Sequence, residues 1–212
     1  MLTMLVPREQ PHLQGLNSYY LQLERFITHL QGEIGSGGMH CAAHNLEMLI
    51  YFNESEVISS LVQRRGEKAL FSPSYEIART FFYEASYAVR VFRLDDHAVF
   101  FWAQMPPFQR ARSAFKSSEI PLPDLVFRLG RKHFSGFIDV QLESRPESGL
   151  LFFHEGKRIG GSYSWGSGGL TLANEDYTTL LARVQSNGAV FTFGTFAREG
   201  APPTAESDNP AA

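Results

Sequence analysis

Met39-His40-Cys41-Ala42-Ala43-His44 is the densest grouping of metal-ligating and nucleophilic side chains in this 212-residue chain. On an extended strand His40 and His44 point to one face and Cys41 to the other, so the three converge on an ion only if the chain bends. A tetrahedral zinc site also needs a fourth ligand, and no second dense group supplies one. A Cys-His nucleophile would require an electropositive pocket and an oriented base that these residues do not specify. The plainer reading is a buried Cys41 with polar histidine neighbours. A metal-dependent enzyme at His40, Cys41 and His44 stands as an alternative only; the expectation is no catalytic residue, no metal and no cofactor.

Two glycine-rich stretches, Gly35-Ser36-Gly37-Gly38 and Gly166-Ser167-Gly168-Gly169, resemble phosphate loops in composition. Neither is followed by Lys-Ser or Lys-Thr, and neither has dinucleotide-fingerprint spacing, so both read as connections. Asp95-Asp96 reads as a hairpin turn, where Asp is favoured for backbone reasons. Tyr163-Ser164-Trp165-Gly166 is better placed for recognition, because Trp165 leaves a strand just before a glycine-rich loop. Arg64, followed by Arg65, holds the matching place in the first half, and Trp and Arg are enriched at binding hot spots. Trp165, Tyr163, Arg64 and Arg65 are therefore the candidate partner-binding residues. The competing role for Trp165 is to cap a sheet edge or to pack between the halves.

The composition bounds the partners. A formal charge of −3 leaves no basic footprint for nucleic acid, and no apolar run is long enough to span a bilayer, so membrane insertion is not expected. A single cysteine rules out an intrachain disulfide framework and suits a reducing compartment. The first residues have no basic region and meet Pro7 before an apolar stretch develops; the expected location is cytoplasmic. Eighteen phenylalanines must be buried or placed at an interface, since exposed aromatic clusters promote aggregation.

These residues sit on a chain that repeats itself. Leu150-Leu151-Phe152-Phe153-His154-Glu155-Gly156-Lys157-Arg158-Ile159 echoes Leu49-Ile50-Tyr51-Phe52-Asn53-Glu54-Ser55-Glu56-Val57-Ile58 at an offset of 101. The same offset aligns Gly35 with Gly136, Ala88 with Ala189, Val89 with Val190 and Phe92 with Phe193. Such a period implies two copies of one small domain. The expected fold class is α+β: two tandem copies, each an antiparallel sheet packed with helices. The expected boundaries are a flexible arm over 1–12, a first domain over 13–104, a linker over 105–118, a second domain over 119–196 and a disordered tail over 197–212. Within the first copy the patterns predict a helix over 18–30 ended by Gly32, strands over 39–43, 48–52 and 57–62, a helix over 74–86 and a strand over 88–94. An extra strand over 98–102 follows, and the linker includes a short helix over 109–115. The second copy repeats the plan with a helix opened by Asp124, strands over 138–143, 150–154 and 158–163, a helix over 175–185 and a strand over 189–193.

The segments Ile120-Pro121-Leu122-Pro123-Asp124-Leu125-Val126, Phe134-Ser135-Gly136-Phe137-Ile138-Asp139-Val140 and Leu151 to Ile159, closed by Asn187-Gly188-Ala189-Val190-Phe191, resemble the PATAN domain of bacterial signalling and motility proteins. The resemblance covers residues 119–196 well and 17–94 as a degenerate copy, with Ser55 and Tyr87 at the places of Gly156 and Gly188. It implies a non-catalytic adaptor or scaffold in bacterial signal transduction or motility. Its partner would be another protein, of the response-regulator or small-GTPase kind, and a homodimer is compatible with it. The rival reading is a small-ligand, nucleotide-type sensor that uses the seam between the copies.

Overall fold

The computed structural model describes residues 4–111, 113–172 and 174–196; the expected disordered tail over 197–212 lies outside them. The fold is α+β, with two antiparallel six-stranded sheets and, among the described residues, five α-helices. Two compact units result: one runs to Met105 and includes Ser167–Gly169, and the other holds the remainder.

In the first unit, β1 (Leu13–Asn17) and a single 3-10 turn (Ser18–Tyr20) lead into α1 (Leu23–Ile34). The helix expected from residue 18 thus starts later, because Asn17 caps the separate turn by accepting from the Tyr19 N–H. Leu23, Ile27, Leu30 and Ile34 bury one face of α1, the three-four spacing of an amphipathic helix. Gly32 lies inside the helix, which ends at Gly35 with φ of 74°. Then come β2 (Gly37–Ala42), β3 (Leu46–Phe52), β4 (Val57–Arg64), β5 (Leu70–Ser72), α2 (Glu76–Phe82) and β6 (Ala88–Arg93), in the sheet order β1-β6-β2-β3-β4-β5. The segment over 98–102 is not a strand. Asp95 accepts from the Ala98 N–H and opens α3 (Asp96–Ala103), which buries Val99 and Trp102 and packs on β3 and β4. β3 is consequently buried on both faces: Met48, Ile50 and Phe52 join the core beneath α1, while Glu47, Leu49 and Tyr51 face the other way. The expected loose arm is partly packed too, with Leu5, Pro7 and Glu9 buried and the Met4 N–H donating to Glu47.

The second unit opens with β7 (Phe108–Arg110) and β8 (Phe115–Lys116), where a linker with a helix was expected. Both strands pair with the last strand of the unit. α4 (Leu122–Arg131), β9 (Gly136–Leu142), β10 (Ser148–His154), β11 (Lys157–Tyr163), α5 (Asn174–Asn187) and β12 (Ala189–Phe196) follow, in the order β11-β10-β9-β12-β7 with β8 also on β12. Leu122, Leu125 and Leu129 of α4 and Leu180 and Val184 of α5 cover one face of this sheet.

The path β1-β6-β2-β3-β4 reappears as β8-β12-β9-β10-β11, down to one irregularity. A bulge interrupts β3–β4 between Tyr51 and Phe52 and β10–β11 between Phe152 and Phe153. The offset of 101 holds for that hairpin but not elsewhere. Gly37 pairs with Phe52 as Gly136 pairs with Phe153, so the offset is two residues shorter across β2. Leu16 pairs with Val89 as Phe115 pairs with Phe191, so it is one residue longer across β6. Val89 therefore matches Phe191, not Val190, and Gly37, not Gly35, matches Gly136. The slip matters because one residue in a strand exchanges core for surface. Val89 and Phe191 are fully buried, whereas Val190 is half-buried on the opposite face.

Candidate interaction site on the first repeat

The corrected register isolates the places where one scaffold carries different surfaces. In the first repeat the Ser18 N–H donates to Tyr87 O at 3.0 Å, and the Tyr87 N–H donates back to Ser18 Oγ at 2.9 Å. In the second, the Ser117 N–H donates to Ala189 O at 2.8 Å and the Ala189 N–H to Ser117 Oγ at 2.9 Å. The same reciprocal pair thus pins the turn before the first helix in both. What that turn displays differs: Ser118 and Glu119, both exposed, stand where the first repeat has Tyr19 and Tyr20.

Those two rings are 80% and 83% exposed and meet edge to face at 5.1 Å. Tyr83, 62% exposed at the end of α2, accepts from the Leu23 N–H at 3.4 Å, three residues after Tyr20. Its counterpart in the second repeat is the exposed Gln185, since Phe82 and Val184 are the matching core residues. The pedestal is firm beneath the rings: Ser86 Oγ donates to Asn17 Oδ1 at 2.8 Å, the oxygen that caps the turn. Three tyrosines on a hydrogen-bonded base are held out in water at positions where the sister repeat manages with Ser, Glu and Gln.

A groove of about 440 Å³ opens farther along α1, lined by Ile27, Thr28 and Gln31 and faced by Ser55, Glu56 and Tyr75. It too follows from a difference between repeats. In the second, Gly130 of α4 lies directly on Gly156 in the β10–β11 turn, so close that a Cβ on Gly156 would run into the Gly130 carbonyl. Gln31 and Ser55 occupy these places in the first. The Gln31 amide reaches from α1 to the Asn53 carbonyl at 2.8 Å, and Asn53 Oδ1 gathers the N–H groups of Ser55 and Glu56 at 2.9 Å each. A side chain therefore spans a gap that two glycines close. Glu24, beside the groove, pairs with Arg79 at 3.1 Å, and Glu56 has no ion pair among the described residues.

The residues singled out from the sequence lie elsewhere. Trp165 is half-buried, stacks on Tyr163 at 5.4 Å and carries the Arg183 guanidinium 4.0 Å over its ring. Arg64, at the matching place, lies 5.3 Å over Phe81 and pairs with Glu84 at 2.6 Å. Phe81 and Arg183 are themselves equivalent, so each repeat joins strand end to helix by a cation–π contact with the partners exchanged. Tyr163 is 1% exposed; it cannot touch a partner, because its ring lies flat in the core, where a Cβ on Gly161 would strike it. Arg65 is exposed in the β4–β5 turn. Tyr19, Tyr20 and Tyr83 are not among the residues that the sequence singles out. The available signal was three aromatic residues facing polar counterparts, and the uniform offset concealed it.

His40, Cys41 and His44 do not converge. Arg90 donates to His40 Nδ1 at 3.0 Å, which leaves the Nε2–H to donate to Glu47 Oε1 at 2.6 Å. Both ring nitrogens are thereby engaged. Cys41 points into the opposite core, where burial pushes its thiol up to about 12, and His44 is exposed in the turn. No group of three potential metal ligands occurs among the described residues. Gly37 and Gly38 are strand residues, not a loop: a Cβ on Gly37 would lie 2.5 Å from the Phe92 carbonyl. A cleft of about 500 Å³ beside Ser36 contains Asp95 and Asp96, but the first carboxylate caps α3 and the second accepts from Ser36 Oγ at 2.6 Å.

No helix among the described residues is long and apolar enough to cross a membrane. No protein-family model, curated protein or solved structure matches the chain.

Proposed function

We propose that this protein is a non-catalytic protein-interaction adaptor that binds its partner through Tyr19, Tyr20 and Tyr83 of the first repeat. The observation that carries the reading is the display of Tyr19 and Tyr20 on one turn and of Tyr83 at the end of α2, at positions where the second repeat bears only polar residues. Tyrosine supplies large, rigid contact area at low entropic cost and recurs at hot spots. If each ring buries about 150–250 Å², the three supply roughly 500 Å², more than half of one side of a standard interface of about 800 Å². The second repeat serves as scaffold by this reading. Placement in bacterial signalling or motility rests on the PATAN-like motifs alone.

A photo-crosslinking amino acid at Tyr20, with the same group at Glu119 as control, tests the assignment in cells. A discrete crosslinked protein is expected at Tyr20, absent at Glu119 and lost when Tyr83→Ala is added. Equal crosslinking at the two positions, or none at either, overturns it.

A further inference from the structure

We infer that the occupant of this face is an extended, proline-containing segment of another protein with an arginine or lysine about four residues beyond the proline; the inference rests on the tyrosine platform proposed above. Three observations fix that chemistry. Tyr19 and Tyr20 stand at 87° to each other with both rings largely exposed, and exposed Tyr83 is tied by its hydroxyl to the Leu23 N–H, three residues after Tyr20, so aromatic surface gathers at the start of α1. Exposed aromatic surface of this kind takes proline in the extended polyproline conformation, which is stiff beforehand and loses little entropy on docking.

The second observation is charge. The groove wall includes Glu24 and Glu56 and no cation. Arg79 already answers Glu24, so Glu56 is the carboxylate left to meet an incoming charge in a groove that Thr28 and Ser55 also line. An acidic segment would face this wall with repulsion, and a neutral one would leave the carboxylate unanswered.

The third is distance. Tyr83 contacts Leu23 and the groove reaches Gln31, eight residues along α1. At about 1.5 Å per helical residue this is roughly 12 Å, the length of about four residues of polyproline helix at about 3.1 Å each. Gln31 holds the Asn53 carbonyl and Asn53 Oδ1 accepts from the Glu56 N–H, so the turn that carries Glu56 lies at the Gln31 end of this span and one short segment along α1 can reach from the tyrosines to it.

Fluorescence polarisation on the full chain tests this with a labelled peptide of three prolines followed, four residues on, by two arginines. The comparison peptides carry glutamate for arginine, or alanine for proline. The proline–arginine peptide is expected to saturate, with each comparison peptide at least tenfold weaker. Tyr20→Ala should cost at least tenfold, and Glu56→Gln about three- to tenfold for the arginine peptide alone, with circular dichroism confirming that both variants fold. Equal binding of the arginine and glutamate peptides overturns the inference. So does no binding of any peptide: if Tyr20 still crosslinks a protein, the platform survives and only its ligand chemistry falls, whereas silence in both experiments removes both. A dimer in sedimentation that Tyr20→Ala dissolves also overturns it, because the occupant would then be a second copy of this chain.

Discussion

Gly156 and Gly66 both lie in hairpin turns with positive φ, 79° and 84°, yet they do different work. A side chain at Gly66 would enter open space, while at Gly156 it would meet the Gly130 backbone. Gly66→Ala should therefore cost only the backbone strain, about 1 kcal/mol. Gly156→Ala adds an overlap that can be relieved only by moving α4 off its turn, and should cost at least about 3 kcal/mol. Urea unfolding followed at Trp102 for the first unit and Trp165 for the second, each measured with the other Trp replaced by Phe, separates the two. Similar losses would mean that the contact between glycines is not what holds α4 against its turn. At this scale the sequence identified the right contrast, Gly156 against Ser55, without its consequence. The Gly130 side of the contact and its replacement by Gln31 appear only when the helix is in place. The same holds for His40: its tautomer is set by Arg90 and Glu47, from different strands, and no local spacing links the three.

Elements were legible where periodicity was strong and misread where an apolar run was short. The leucines of α4 and the alternation in β9 and β10 announce themselves. Ala98-Val99-Phe100-Phe101-Trp102 is continuous, aromatic and β-branched, so its composition favours a strand, and a run of this length is ambiguous by pattern alone. The decision is made by Asp95, whose carboxylate accepts the Ala98 N–H at 2.6 Å and starts a helix that can lay Val99 and Trp102 on the sheet. Asp95→Ala should then cost about 1 kcal/mol, the worth of an N-cap, whereas Asp95→Asn or Asp95→Ser should recover most of it. Thermal melting of the three variants checks this. If the Ser and Ala variants melt together, the carboxylate acts through something other than the cap. β7 and β8 were missed for another reason. Segments of two or three residues have no period to detect, and they become strands only because β12 offers them an edge.

At the scale of the whole molecule, the duplication was visible as an echo, but its true alignment was not. A single offset is what a sequence comparison favours, and it placed Val89 on Val190 because both are valine. Hydrogen-bond register sets Phe191 there instead, since the buried face of the strand must be filled. Both repeats bury ionisable side chains in these filled faces, and that has a global consequence. Burial pushes the Cys41 thiol from 9.0 to about 12, and the hydroxyls of Tyr87 and Tyr163 from 10.0 to about 12. Tyr51 and Tyr177 shift upward for the same first cause. Each is an acid whose native state keeps its proton where the unfolded chain has released it. Above pH 9 the unfolded state therefore binds fewer protons than the folded one, and stability falls as pH rises, by up to about 1.4 kcal/mol per pH unit for each buried group between its unfolded and folded pKa. Stability should decline from pH 9 as the Cys41 thiol contributes, and more steeply above pH 10 as tyrosines from both units join. Cys41→Ala should remove the first step and leave the second. Urea midpoints measured from pH 7 to 11 on both proteins supply the comparison, judged by slope so that the small volume change of the substitution cancels. Parallel curves between pH 9 and 10 would mean that the Cys41 thiol ionises in the folded protein, and the tightness of the core beneath α1 would have to be reconsidered.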